Sequence, residues 1–274
     1  MADQRNVCQP YTALFNLNRE VIDGRSILDY VVWLRKTCLL FPDLLIFHDG
    51  CLDNFDFSNS NLVRVSTESL QAFKLYDRVE DVIERFSSDS MNDITFKLPR
   101  YSLMQIAKFE LGVEATSITA SESVLWVDAG ISRFLRMAHS SGQVSLFAEQ
   151  LLASCTDFYF EVDTRRNIDF LRIRLKQHPL GTSKRVIAGG SFWIKGSQVE
   201  ELNNAVLNCA RRWLDEGVWD NEQLILREVI PTMKANFRFI RKGRRDTAQV
   251  ARSMLENDWS DNTFPSGIIN WLMR

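Results

Sequence analysis

An α/β fold, with a mainly parallel central sheet flanked by helices, is what this sequence predicts, and three observations carry the prediction. Short apolar runs at residues 11–17, 43–50 and 124–127 have the length and composition of buried strands. The first two are separated by a helically periodic segment of crossover length, which a parallel pair requires. The composition, 45% hydrophobic and 25% charged over 274 residues, is that of an ordinary packed globular chain.

The elements follow in order. Residues 11–17 (YTALFNL) read as the first strand, and 18–25 (NREVIDGR) as a polar loop. A helix is expected over 26–41: Ser26 is suited to the N-cap, Ile27, Tyr30, Val31, Leu34 and Cys38 recur at helical spacing, and Pro42 ends the run. Residues 43–50 form a second strand closing in a turn, and 62–65 a third. A polar helix over 68–90 and an amphipathic one over 101–115 precede the strand at 124–127. Beyond it, 158–162 reads as a strand, 167–175 as mixed, and 185–194 as a strand interrupted by Gly189-Gly190. Helices over 200–216 and 220–230 follow, the second opening on acidic residues that match the helix dipole. No linker or internal repeat divides the chain, so one domain over 1–274 is expected. Its nucleotide-binding half would be 1–135, with the acceptor half and C-terminal segment over 136–274.

Charge and cysteine content exclude several classes. Lys+Arg 33 against Asp+Glu 35 gives a net charge of −2, without the basic excess of a nucleic-acid-binding domain. Five scattered cysteines form no CxxC pair, and three histidines show no metal-ligand spacing. Without a signal-peptide pattern or an apolar run of about 18 residues, a soluble cytoplasmic protein is expected, with at most peripheral contact at the inner face of a membrane. No GxSxG elbow, GxGxxG turn or P-loop is present, which disfavours a serine hydrolase, a dinucleotide binder and a P-loop enzyme.

The candidate site residues lie at strand ends and helix starts. Asp128 ends an apolar strand and is followed by Ala129-Gly130, a position from which a carboxylate can hold a divalent cation; a turn aspartate bonding its own backbone competes with that reading. Gly189-Gly190 marks a bulge, a close backbone approach by a ligand, or plain strand packing. Asp220, Glu222 and Gln223 open a helix, where capping explains acidic residues as well as chemistry does. Residues 238–245 (RFIRKGRR) hold five cations, suited to diphosphate recognition through Arg241, Arg244 and Arg245 or to a solvated loop.

Four fragments occur in a telling order: KFELG (108–112 with its lysine first), WVDAGISRF (126–134), AGGSFWIKG (188–196) and DNEQLIL (220–226). This order resembles the bacterial HtrL/YibB-like family and, beyond it, the GT-A glycosyltransferases. The resemblance implies a GT-A-like, Rossmann-like fold in which a nucleotide-binding half leads to a strand-end acidic motif. It implies transfer of a sugar from a nucleotide-diphosphate donor, a UDP-sugar foremost, to a cell-surface glycan or glycolipid such as lipopolysaccharide or capsule. Asn18, Arg19, Arg25, Lys108, Asp128, Gly130 and the three arginines would meet the donor. Gly189, Gly190 and Gln223 would meet the acceptor, Asp220 or Glu222 would deprotonate it, and Asp128 would anchor Mn or Mg. The family's second carboxylate is replaced by Gly130. That departure motivates one rival, a glycan- or nucleotide-binding protein without turnover. Another is a magnesium-dependent phosphotransferase or nuclease using Asp128 with Glu161 and Asp163.

Overall fold

The computed structural model describes residues 6–57, 60–85, 94–135, 141–163, 186–241, 248–258 and 263–265. Strands β1 (Gln9–Leu14), β2 (Leu45–His48), β3 (Asn61–Arg64), β4 (Ser123–Val127), β5 (Phe158–Asp163), β6 (Val186–Lys195), β7 (Phe237–Arg241) and β8 (Thr263–Pro265) build one sheet. Its order is β3-β2-β1-β4-β6-β5-β7-β8. The β1–β2, β2–β3, β1–β4 and β5–β7 pairings are parallel. Strand β6 runs antiparallel to both β4 and β5, and β8 antiparallel to β7. The expected α/β class is observed, with the parallel pairing concentrated in the first half.

Alternation along the strands separates two cores. Val124 and Trp126 of β4 and Phe192 and Ile194 of β6 face one side, where long helices α5 (Pro99–Thr119) and α7 (Gly196–Asp215) pack. Leu125, Val127 and Trp193 face the other, covered by α2 (Ile27–Leu40), α6 (Ser141–Ala153) and α9 (Gln249–Glu256). Period-two alternation makes each strand serve both layers. Stacked rings tie the second half of the first core together, with Phe158 and Phe237 at 4.8 Å and Phe109 and Phe192 at 5.2 Å.

Local signals act as expected in α2. Ser26 Oγ accepts the Asp29 N–H at 3.2 Å while Asp29 returns the bond to the Ser26 N–H at 2.9 Å, a capping box. Helix α5 extends beyond the expected 101–115 because Pro99 at its first turn needs no intrahelical donor. The segment expected as one helix over 68–90 starts as two 3-10 turns before α3 (Tyr76–Arg85). Glu20–Asp23 forms a one-turn helix, α1, inside the expected loop, closed by Gly24 at φ 72°. Helix α4 (Ile94–Lys97) leads into α5. Helix α8 (Glu222–Val229) starts from an Asn221 cap. Arg238 and Arg241 lie on β7, so the first half of the basic stretch is strand, with Phe239 and Ile240 buried in the sheet, rather than loop. The expected mixed segment at 167–175 lies outside the described residues.

Candidate functional site

The cleft opens at the carboxyl ends of β1 and β4, the edge where open α/β sheets take ligands. Two adjoining cavities share Tyr101, Gln105 and Asp128 as lining residues. The outer cavity is walled by the loop after β1 (Asn16, Leu17, Arg19, Arg25), by Tyr30 of α2, and by Trp126. The inner one is walled by Gly189, Gly190, Asn221, Glu222 and Gln223. Residues from five separate stretches of sequence thus meet around Asp128.

Asp128 leaves β4 on the α5 side of the sheet. Its backbone N–H donates to the Gly190 carbonyl at 2.9 Å, continuing the β4–β6 ladder one step past the strand. Its Oδ1 accepts the Gly130 N–H at 2.9 Å and lies 3.9 Å from Arg133 Nη2. The turn-aspartate bond is therefore present, and the side chain still lines both cavities.

Across the outer cavity, Arg19 is stacked between aromatic rings. Its guanidinium lies 4.5 Å from the Tyr101 ring centre and 5.6 Å from that of Tyr30, while Nη2 donates to Asp23 at 2.5 Å. Arg25 is more exposed and approaches the same Asp23 at 3.7 Å. Asn18, exposed beside them, adopts φ 56° and does not line the cavity. Burial pushes the Tyr101 phenol well above its ordinary range, against the pull of Arg19, so the ring is neutral and its hydroxyl remains a donor.

The inner wall rests on a buried ion pair. Lys108 Nζ donates to Glu222 Oε1 at 3.1 Å, to the Gly189 carbonyl at 3.0 Å and to Gln105 Oε1 at 3.4 Å. The side chain is 0% exposed, among the rings of Phe109, Trp126 and Phe192. Burial pushes its pKa down and Glu222 opposes that shift. The expectation of a donor-binding lysine is corrected here: Lys108 points under the sheet, where the charge needs Glu222. The Gly pair is explained by the same contact. A Cβ at Gly189 would collide with Glu222 Oε1 and Lys108 Nζ, so the backbone is approached by an ion pair rather than by a ligand. Residues 189–191 also form the expected bulge, since the β5–β6 register shifts between Phe160 and Glu161 while the β4–β6 pairing continues to Ser191.

Other expected site residues lie elsewhere. Asp220 is buried, accepts the Asn221 N–H at 2.8 Å and does not line the cleft. Arg241 ends β7, three strands from β4 and roughly 14 Å across the sheet. Arg244 and Arg245 lie outside the described residues. Glu161 is buried and accepts the Gln249 N–H at 3.0 Å, capping α9 rather than joining Asp128; the side chain of Asp163 is outside what is described. Tyr30, Tyr101, Gln105, Trp126 and Asn221 line the cleft without having been singled out in the sequence. Aromatic residues at the start of two helices that flank strand ends were the available signal.

A divalent cation does not fit these residues as a resident ion. Among the described residues no three His, Cys, Asp or Glu side chains converge. Asp128 has one oxygen already accepting a backbone bond, and Glu222, the other carboxylate of the inner cavity, is held by Lys108. Among the described residues no helix is long and apolar enough to cross a membrane.

The class defined by fold and site is an α/β protein with a polar, aromatic cleft at the carboxyl edge of its parallel strands. No family model and no curated protein matches the chain. Solved structures similar to it include 4-diphosphocytidyl-2C-methyl-D-erythritol synthase from Anaerococcus prevotii, at 11% identity and TM-score 0.37, covering 87% of this chain and 90% of that one. Another is core-mannan synthase A from Aspergillus fumigatus in its Mn/GDP form, at 7% identity and TM-score 0.45, covering 84% and 70%.

Proposed function

We propose that the protein is a glycosyltransferase that moves a sugar from a nucleotide-diphosphate donor to a glycan or glycolipid acceptor. The observation that carries the reading is the meeting, around Asp128, of an arginine–tyrosine cavity with a second cavity walled by glycine backbone and a carboxylate. The WVDAGI resemblance to the HtrL/YibB-like family points the same way.

Each residue has a part that its chemistry suits. Arg19 and Arg25 carry the charge and planar donors that pair with phosphate oxygens. Asp128 accepts hydroxyl donors from ribose or from the donor sugar. Asn221 and Gln223, at the start of α8, suit the acceptor's hydroxyls. Glu222 is the second carboxylate of the inner cavity and accepts the acceptor proton. A divalent cation, the cofactor the resemblance implies, would find Asp128 as the one cleft carboxylate not held in the Lys108 pair among the described residues, so no step is assigned to it.

The test is nucleotide release from a panel of UDP-, GDP-, ADP- and CDP-sugars with a glycan acceptor mixture, with and without Mn²⁺. Release with one donor, lost in Asp128→Asn, supports the reading. Tight nucleotide binding with no release from any donor favours a binding protein built on the same cleft, and absence of nucleotide binding rejects both.

A further inference from the structure

We propose that the donor diphosphate is bound, and its departure stabilised, by Arg19 with Arg25 beside it, in place of a metal ion; this rests on the donor-sugar reading above. The first observation is that Arg19 is an incompletely used cation. Its one hydrogen bond among the described residues is from Nη2 to Asp23, although a guanidinium has five N–H donors. Its Nε is buried and without a partner. A charged donor left unpaired in a buried position is costly, and an anionic oxygen entering the cavity removes that cost.

Geometry adds direction. Tyr101 and Tyr30 hold the guanidinium by its faces, which fixes its plane and leaves its edge for hydrogen bonding. Asp23 counters only one of two cations, because Arg19 and Arg25 both approach it. Arg19 and Arg25 against the one Asp23 that they share leave this wall with an unmatched positive charge. A dication would meet repulsion there, and the Asp128 carboxylate across the cavity already accepts the Gly130 N–H.

The reaction balances with these groups. The acceptor hydroxyl oxygen bonds the anomeric carbon, and the bond from that carbon to the β-phosphate oxygen breaks with its electron pair on the phosphate. The acceptor proton passes to the Glu222 carboxylate. The leaving diphosphate gains one negative charge, and the Arg19 and Arg25 donors meet that charge as it forms.

Calorimetry with UDP, GDP, ADP and CDP in EDTA, then with Mn²⁺, tests the proposal on the whole chain. The expected result is binding of at least one of them in EDTA, little changed by Mn²⁺. Arg19→Gln should weaken it about tenfold or more, the loss of one charge-assisted contact. Arg19→Lys should fall between, keeping the charge without the stacked plane. Asp23→Asn supplies the opposite sign, because it releases Arg19 Nη2 and should tighten binding several-fold, with melting temperatures followed for every variant. Binding that needs Mn²⁺ overturns this proposal and leaves the glycosyltransferase reading standing. Weakening in Asp23→Asn equal to that in Arg19→Gln makes Arg19 structural and also overturns it. No nucleoside diphosphate binding under either condition overturns both.

Discussion

Two cations flank the same cleft, one behind its inner wall and one in its outer wall, and are treated oppositely. Lys108 spends all three of its N–H donors on Glu222, Gly189 and Gln105, at full burial. Arg19, on the other wall, has one hydrogen bond and a bare Nε among the described residues. A saturated buried cation holds structure together and has nothing left for a ligand, whereas an unsaturated one at a cavity wall is available. The contrast explains why Lys108 shapes the inner wall of the cleft without being exposed in it, and why Arg19 is the better candidate for anion recognition.

The largest expected effect breaks the saturated side. Lys108→Met leaves the Glu222 charge buried without its partner, a loss of about 3–5 kcal/mol for ion pairs of this kind. Adding Glu222→Leu removes the stranded charge and should recover part of that loss. Urea unfolding of the two variants measures both steps. A single variant as stable as wild type would show that the pair carries no structural weight and would erase the contrast with Arg19. Gly189→Ala tests the same pair from the sheet side. The added methyl meets Glu222 Oε1 and Lys108 Nζ, an overpacking cost of about 1–3 kcal/mol. Unchanged stability there would mean that β6 shifts freely at its bulge.

How far the sequence reveals this contrast depends on what each residue's surroundings owe to distant chain. The Val124–Val127 strand and Asp128 at its end are local: four apolar residues followed by a turn signal, and the structure puts them in the sheet interior with Asp128 at the ligand edge. The Ser26 cap is local in the same way. The position of Lys108 is not. Its helix is buried on most sides between the sheet and α7, so the 3.6-residue pattern that would separate a buried from a solvated lysine is blurred. Its partner Glu222 lies 114 residues on, and only the fold brings the two together. The same distance hid Tyr30 and Tyr101 as a pair around Arg19. In the RFIRKGRR stretch a reading by charge weighs five cations above Phe239 and Ile240, while the sheet counts Phe237, Phe239 and Ile240 as core and residues 242–245 lie outside the described residues.

Asp128→Asn sharpens the comparison at the residue between the walls. The amide oxygen still accepts the Gly130 N–H, so stability should change by less than about 1 kcal/mol. Turnover should fall about 100-fold, near 2.7 kcal/mol of barrier, when the carboxylate contacts the donor. Paired thermal melting and nucleotide-release assays separate the two. Full turnover in this variant assigns Asp128 to the turn alone.

The smallest expected effect asks whether the rule extends to a third basic side chain on the same sheet edge. His48 ends β2, is 4% exposed, and its Nδ1 accepts the Gly50 N–H at 3.2 Å. Protonation would remove that acceptor and place a charge where burial disfavours it. Burial pushes the His48 pKa below its ordinary 6.5, with Asp53 and Asp49 opposing and Arg64 reinforcing the shift. The sign follows from linkage: the unfolded chain binds the proton more readily, so the His48 contribution is fully present above pH 6.5 and is lost as pH falls through the lower folded value. Unfolding free energy measured by urea from pH 8 to 5 should therefore be flat at first and then decline. In His48→Gln, where no imidazole titrates, the decline over that interval should shrink. An identical decline in both proteins would remove His48 as its source, and a gain in stability on acidification would mean that Asp53 captures the imidazolium as a paired cation, as Glu222 does Lys108.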